Sequence, residues 1–145
     1  MSSIMDIADA VAAELNTAPA GTFDPEFTAV RRVLPEFELA DLADLKVSVV
    51  PHGIEMSGAT RSSQQMEIAV DIGVMKKLGT DLDAEVAVLC DLVEQIVDYL
   101  ASRRLAEMPQ AAWVRMANAP IYSPQHLATQ RSFTSVLTVT YMIMR

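Results

Sequence analysis

The longest regular pattern in the chain is a stripe of apolar residues within residues 81–105. Apolar side chains recur there every three or four residues, which places them on one side of an α-helix. Asp81 is a suitable N-cap, and Arg103 and Arg104 would stand at the C-terminal end of the helix dipole. The stripe, which needs a sheet or other helices to cover it, consists of Leu82, Val86, Leu89, Val93, Ile96 and Leu100.

Strict alternation of apolar and other residues predicts strands in the rest of the chain. The clearest is 66–77, and the remaining strand predictions are 27–34, 45–52, 112–116 and 130–144. A shorter helix is predicted over 3–18, where Ile4, Ile7, Val11 and Leu15 share one side.

The connections between these elements differ in length and character. Residues 36–44 are acidic and predict a short turn of helix, and 121–127 are expected to be irregular. Residues 53–65 are mostly small or polar and predict a long loop between two strands. Because long polar connections are usually functional or mobile, this loop is the first candidate for contact with a partner.

The order of helix, strands, long helix and strands predicts an α+β fold in one domain, 1–145. We expect a mostly antiparallel sheet of four to five strands packed against one long and one shorter helix. At 145 residues the chain is long enough for a real core.

The composition narrows the classes of function. The net charge is −8 and the eleven Lys and Arg are scattered, which argues against general nucleic-acid binding. The negative net charge is, however, compatible with an acidic channel lining past which DNA moves without binding. The hydrophobic fraction of 51% suggests that partner subunits hide some apolar surface.

Signals for membranes and export are weak. No apolar run approaches the ~18 residues of a membrane helix, so no membrane association is expected. The N-terminal residues lack the basic start of a signal peptide, and the single Cys90 fits a reducing cytoplasm.

The residues that could carry chemistry do not cluster in the sequence. His52 and His126 stand alone, which is not the spacing of a zinc site. Cys90 belongs to the apolar side of the long helix, and the carboxylates of Glu94 and Asp98 are typical of a solvated helix face. We therefore expect no enzymatic activity, no metal and no cofactor.

Five stretches carry a resemblance to a known family. They are IADAVAAELN at 7–16, FTAVRR at 27–32, LKVSVVP at 45–51, IYSPQHL at 121–127 and FTSVLTVTY at 133–141. In these stretches, which span nearly the whole chain, it resembles the small tail-completion proteins of tailed bacteriophages, the tail-terminator or neck class.

The resemblance implies a virion structural protein of the tail or neck, made in the host bacterial cytoplasm. Such subunits assemble with themselves into a ring, here expected to be a hexamer, that caps the tail tube on the side facing the capsid. The ring stops tube polymerisation, joins the tube to the head–tail connector, and leaves a channel through which DNA passes without specific binding.

A closed ring of this kind uses two different patches on each subunit. We place one patch on Arg31, Arg32 and the 53–65 loop with Arg61. The other falls on the acidic side of the long helix or on the acidic segment before the second strand. Opposite charges across the joint would fix register more than affinity. The acidic candidates are Asp91, Glu94 and Asp98 on the helix, and Asp41 and Asp44 on the segment.

Two alternatives remain open. Another virion subunit, such as a head–tail connector, an adaptor or a tail tube protein, would be compatible with the same predicted fold. A small-molecule-binding α+β module is a further alternative, but it would need convergent polar groups that the sequence does not offer.

Overall fold

The computed structural model of the chain describes residues 3–33, 43–58, 64–118 and 121–144. They form one five-stranded sheet, in the order β1-β2-β3-β5-β4, and three helices. The elements in chain order are α1 (Ser3–Asn16), β1 (Ala29–Arg31), β2 (Lys46–Gly58), β3 (Gln64–Lys77), α2 (Leu82–Leu100), β4 (Ala112–Ala117), α3 (Pro124–Gln130) and β5 (Ser132–Met144).

The sheet is mixed but mostly antiparallel, as the sequence predicts. β1 runs parallel to β2, and the other three neighbouring pairs are antiparallel. β3 lies at the centre and alternates strictly between two faces. Its apolar set is at most 2% exposed and belongs to the core; this set is Met66, Ile68, Val70, Ile72 and Val74.

Two helices cover this apolar face of the sheet. α1 and α2 contribute their apolar stripes to the same core, in which Ile7 and Ile96 are fully buried. They also contact each other, because the Tyr99 hydroxyl of α2 donates to the Glu14 carbonyl of α1 at 3.3 Å. The fold therefore has two layers, with α1 and α2 on one face of the sheet.

The long helix begins where the sequence predicts and ends earlier. The Asp81 side chain accepts a hydrogen bond from the Ala84 N–H at 3.3 Å, which confirms the N-cap. The helix ends at Leu100 rather than at residue 105, since Ala101 leaves the helical conformation with a ψ of 122° and Ser102 then adopts a left-handed φ of 58°. Arg103 lies beyond the last helical residue, but its Nε donates to the carbonyl of Tyr99 in the last turn at 2.9 Å, so a cation stands at the C-terminal end of the helix as predicted.

The predicted 53–65 loop is also wrong. β2 continues to Gly58 and β3 begins at Gln64, so most of the segment is a hairpin. The pairing shifts between Pro51 and Gly53 and then resumes, which means that a bulge rather than a strand end absorbs the proline. The remaining residues 59–63 lie outside the described part of the chain.

Two further differences have local causes. β1 is shorter than the predicted 27–34 strand, and Asn16 at the end of α1 hydrogen-bonds both the N–H and the carbonyl of its first residue, Ala29. α3 occupies a stretch that we expected to be irregular. Ser123 caps it by accepting from the His126 N–H, and Pro124 occupies its first turn.

Candidate assembly surfaces

Arg31 and Arg32 lie on opposite faces of the sheet, as expected for adjacent strand residues. Arg31 turns toward α1, where its Nε lies 2.7 Å from Asp9 Oδ1. Arg32 is exposed and lines a depression on the opposite face together with Val30 and Lys46. The arginine pair thus marks the β1–β2 side of the subunit, although Arg31 already has an acidic partner within the chain.

The predicted acidic patch on the long helix is a continuous stripe. Asp91, Glu94 and Asp98 are all exposed and follow one another at spacings of three and four residues on α2. α2 packs against β5, whereas the arginines lie beside β1 and β2. The two predicted patches therefore fall on different sides of the subunit.

The structure places the other predicted interface residues as follows. Asp44 is exposed just before β2. Arg61 and Asp41 lie outside the described residues, so their part in the prediction stays as it was.

An apolar groove lies beside the first half of α2, and sequence reasoning missed it. It has a volume of about 210 Å³ and is lined by Pro25, Lys76, Leu78, Ala84, Glu85, Val88 and Leu89. Val88 is 49% exposed and stands outside the main apolar stripe of the helix. The sequence signal for this groove was Val88, an apolar residue outside the buried stripe of the helix, where the core does not require one.

A second apolar feature lies at the far end of the β2–β3 hairpin. Ile54 pairs with Ile68 and Met56 pairs with Met66, so each pair shares the helix-bearing face of the sheet. Ile68 and Met66 are buried, but Ile54 is 52% and Met56 46% exposed. We call Ile54 and Met56 the hairpin tip. The alternation of Ile54 and Met56 with Glu55 and Ser57 was the signal for a strand here.

The opposite face of the sheet carries a polar row across three strands. His52 Nδ1 lies 2.8 Å from Asp71 Oδ2, and the Thr138 hydroxyl donates to Asp71 Oδ1 at 2.6 Å. The carboxylate stands between the imidazole and the hydroxyl, so the base does not reach the potential nucleophile. This order of groups favours a cross-strand brace rather than a catalytic triad.

The remaining candidates for chemistry are the thiol of Cys90 and groups of side chains that could bind a metal. Burial, and secondarily the charge of Asp91, raise the pKa of the Cys90 thiol, which disfavours the nucleophilic thiolate. Within 3–33, 43–58, 64–118 and 121–144, no three His, Cys, Asp or Glu side chains are grouped so as to hold a metal ion. No helix of these ranges is long and apolar enough to cross a bilayer.

Comparison with solved structures shows a likeness in fold. No family model and no curated protein matches the chain. Among solved structures, its fold is similar to that of a chain in a cryo-EM structure of an extracellular contractile injection system, the PVC sheath/tube terminator in the extended state. The TM-score is 0.50 and the sequence identity 19%. The likeness covers all of this chain but only 57% of the other, so the chain spans little more than half of that protein's length. The α+β fold is thus one that a sheath/tube terminator also uses.

Proposed function

We propose that the chain is a tail-terminator-like structural subunit, which ends the tube of a phage tail or of a related injection system. The observation that carries the proposal is the likeness of its entire fold to a sheath/tube terminator. The sequence resemblance to phage tail-completion proteins favours the same class on separate grounds. The role is structural rather than enzymatic, and the raised pKa of Cys90 and the order of His52, Asp71 and Thr138 support that reading.

In this proposal the subunit assembles with itself into a ring, expected to be a hexamer, on the end of the tube. Two different patches on different sides of each subunit are what a closed head-to-tail ring requires. The arginine side, with Arg31 and Arg32, would face the acidic α2 stripe of the next subunit, where opposite charges fix the register.

The ring would leave a channel and offer one face to the tube and the other to the head–tail connector. A net charge of −8 suits a channel through which DNA passes without binding. A tail tube subunit remains the alternative within the same structural class. Such a subunit would polymerise by itself into long tubes, whereas a terminator would stop at a ring.

The first experiment is the solution mass of the purified chain by light scattering, across protein and salt concentrations, with negative-stain images of large species. We expect discrete rings with a central hole and a mass of six times the 15.8 kDa subunit. Weaker assembly at high salt is expected, because exposed charge pairs are screened there. Long tubes formed by the chain alone would contradict the terminator role and favour the tube subunit.

A further inference from the structure

Both edges of the sheet leave strand backbone without a neighbour. β4 is the last strand at one edge, and in the described part of the chain no strand pairs with its outer side. At the other edge, β1 pairs only with 47–49 of β2. Within the described ranges, the second half of β2, 51–58, therefore has β3 on one side and no strand on the other. Open strand edges are templates for pairing with another chain.

The two open edges lie at the same level along the strands. Pairing through β5 and β3 places Trp113 of β4 level with Ile54 of β2. The whole of β4 spans the levels of 50–55 on β2, whereas β1 occupies those of 47–49. A second copy placed beside the first along the sheet therefore brings its β4 next to the open half of β2 without meeting β1.

The strand directions also suit a ring. β2 and β3, β3 and β5, and β5 and β4 are antiparallel pairs, so β4 runs opposite to β2. Rotation about an axis along the strands keeps these directions, and it makes β4 of the next copy an antiparallel neighbour of β2. Such a contact joins two different edges, as the repeated contact of a closed ring requires.

Side chains match on both faces of this joint. On the helix-bearing face, the exposed Ile54 would lie against the indole of Trp113 from the next copy. On the opposite face, Glu55 stands directly across from Glu67, where two carboxylates repel each other. Arg115 lies on this same face, since its Nη1 is 2.8 Å from Glu67 Oε1. Arg115 of the next copy would come diagonal to Glu55, and the five N–H donors of a guanidinium allow it to bind a carboxylate of each copy.

We propose that β4 of one copy of this chain pairs antiparallel with the open half of β2 of a second copy, so that the sheet continues from subunit to subunit. The contact rests on the proposed terminator function in that the ring is the assembly it builds. Backbone hydrogen bonds and the cover of Ile54 hold the joint together. The joint also sets the β1–β2 side of one copy against the β4–β5 side of the next, and these sides carry the arginine pair and α2.

A disulfide across the joint tests this contact. In a Cys90→Ala background, the full chain carries Glu55→Cys together with Ala112→Cys, two exposed positions that are level with each other. Within one chain they are separated by three strand spacings of ~4.8 Å, or about 14 Å, which no disulfide spans. We expect mild oxidation to give a ladder of covalent oligomers on non-reducing gels, ending at the ring size. Mixing the two single-cysteine chains should give heterodimers.

The matched control moves one cysteine along the same strand. Ala117 is also exposed and lies on the same face of β4, but it is level with Val50. That level is four residues along β3 from the level of Glu55, or about 13 Å, so Glu55→Cys with Ala117→Cys should give no ladder. A ladder from this pair, or dimers of the chain with Ala112→Cys alone, would overturn the proposed joint.

Hydrogen exchange gives a second reading on the unmodified chain. We expect the outward-facing amides of 53–58 and 112–117 to exchange at least about tenfold more slowly in rings than in dilute monomer, because their N–H groups become paired in the joint. The amides of β3, which has neighbours on both sides, should change less. Unchanged exchange in both edge segments would contradict the joint.

The outcomes separate this contact from the function it serves. Rings of the unmodified chain without a disulfide between Glu55→Cys and Ala112→Cys would overturn the joint and leave the terminator role standing. A disulfide ladder in a chain that forms long tubes alone would support the joint and contradict the terminator role. A chain that stays monomeric both in solution and on tube ends would contradict the two together.

Discussion

Replacing Ile68 by alanine is expected to lower the free energy of unfolding by about 3–4 kcal/mol. Ile68 is fully buried on the central strand, so the substitution removes apolar contacts and leaves a cavity that the rigid sheet cannot close. For a chain of this size the midpoint of thermal unfolding should fall by about 10 °C. Thermal and urea unfolding followed by circular dichroism measure both quantities.

The matched control is the same substitution at the position directly across the strand pair. Ile54 is 52% exposed, and Ile54→Ala should lower the stability of the isolated subunit by less than about 1 kcal/mol. Equal losses of subunit stability at the two positions would show that the hairpin tip is already packed in the monomer.

Replacing Glu14 by alanine is expected to cost about 2–4 kcal/mol of unfolding free energy. Its side chain is 8% exposed, and one carboxylate oxygen accepts from the Ala106 N–H at 2.9 Å. The other oxygen lies 3.5 Å from Arg103, whose guanidinium also stacks on Tyr99 at 3.9 Å. The substitution would leave a backbone donor and a cation without their partner in the turn that follows α2.

Two comparisons define what the Glu14 measurement means. Glu107 lies in the same connection but is exposed, and Glu107→Ala should change the unfolding free energy by less than about 0.5 kcal/mol. Glu14→Gln keeps an acceptor for the Ala106 N–H and should lose less than Glu14→Ala does. If Glu14→Ala unfolds at the same denaturant concentration as Glu107→Ala, the buried carboxylate does not hold the two helices together.

The carboxylate of Glu14 also affects the pKa of a second buried group, the phenol of Tyr141. Burial raises the pKa of the Tyr141 phenol, and the charge of Glu14 adds to that effect. Tyr141 is fully buried on β5, so a neutral phenol is the form that suits this core. Glu14 therefore contributes to the core electrostatics as well as to the hydrogen bonds of the turn.

The regular elements were predictable because the periodic pattern of apolar side chains continues without interruption over many residues. Ten residues of strict alternation on β3, 66–75, leave no competing interpretation, and the α2 stripe repeats over five turns of helix. The hairpin was missed because Pro51 normally ends a strand, whereas here a bulge beside His52 lets the pairing resume. α3 was missed because residues 121–127 were expected to be irregular, whereas Ser123 caps a helix and Pro124 occupies its first turn.

The candidate surfaces were less accessible to sequence reasoning. The charged residues of α2 could be placed by spacing alone, since exposure follows from the helical period. The groove could not, because Pro25, Leu78 and Val88 come from three distant parts of the chain. The engagement of Arg31 by Asp9 likewise depends on how α1 packs beside β1, which no local pattern encodes.

The most direct test of the terminator role is the effect of the purified chain on tube growth. Tail tube protein from the same tail or injection system is polymerised with and without the chain, and tube lengths and ends are imaged by electron microscopy. The proposed function predicts shorter tubes, each carrying one ring at one end, with lengths that fall as more of the chain is added. Tubes of unchanged length with bare ends would contradict it.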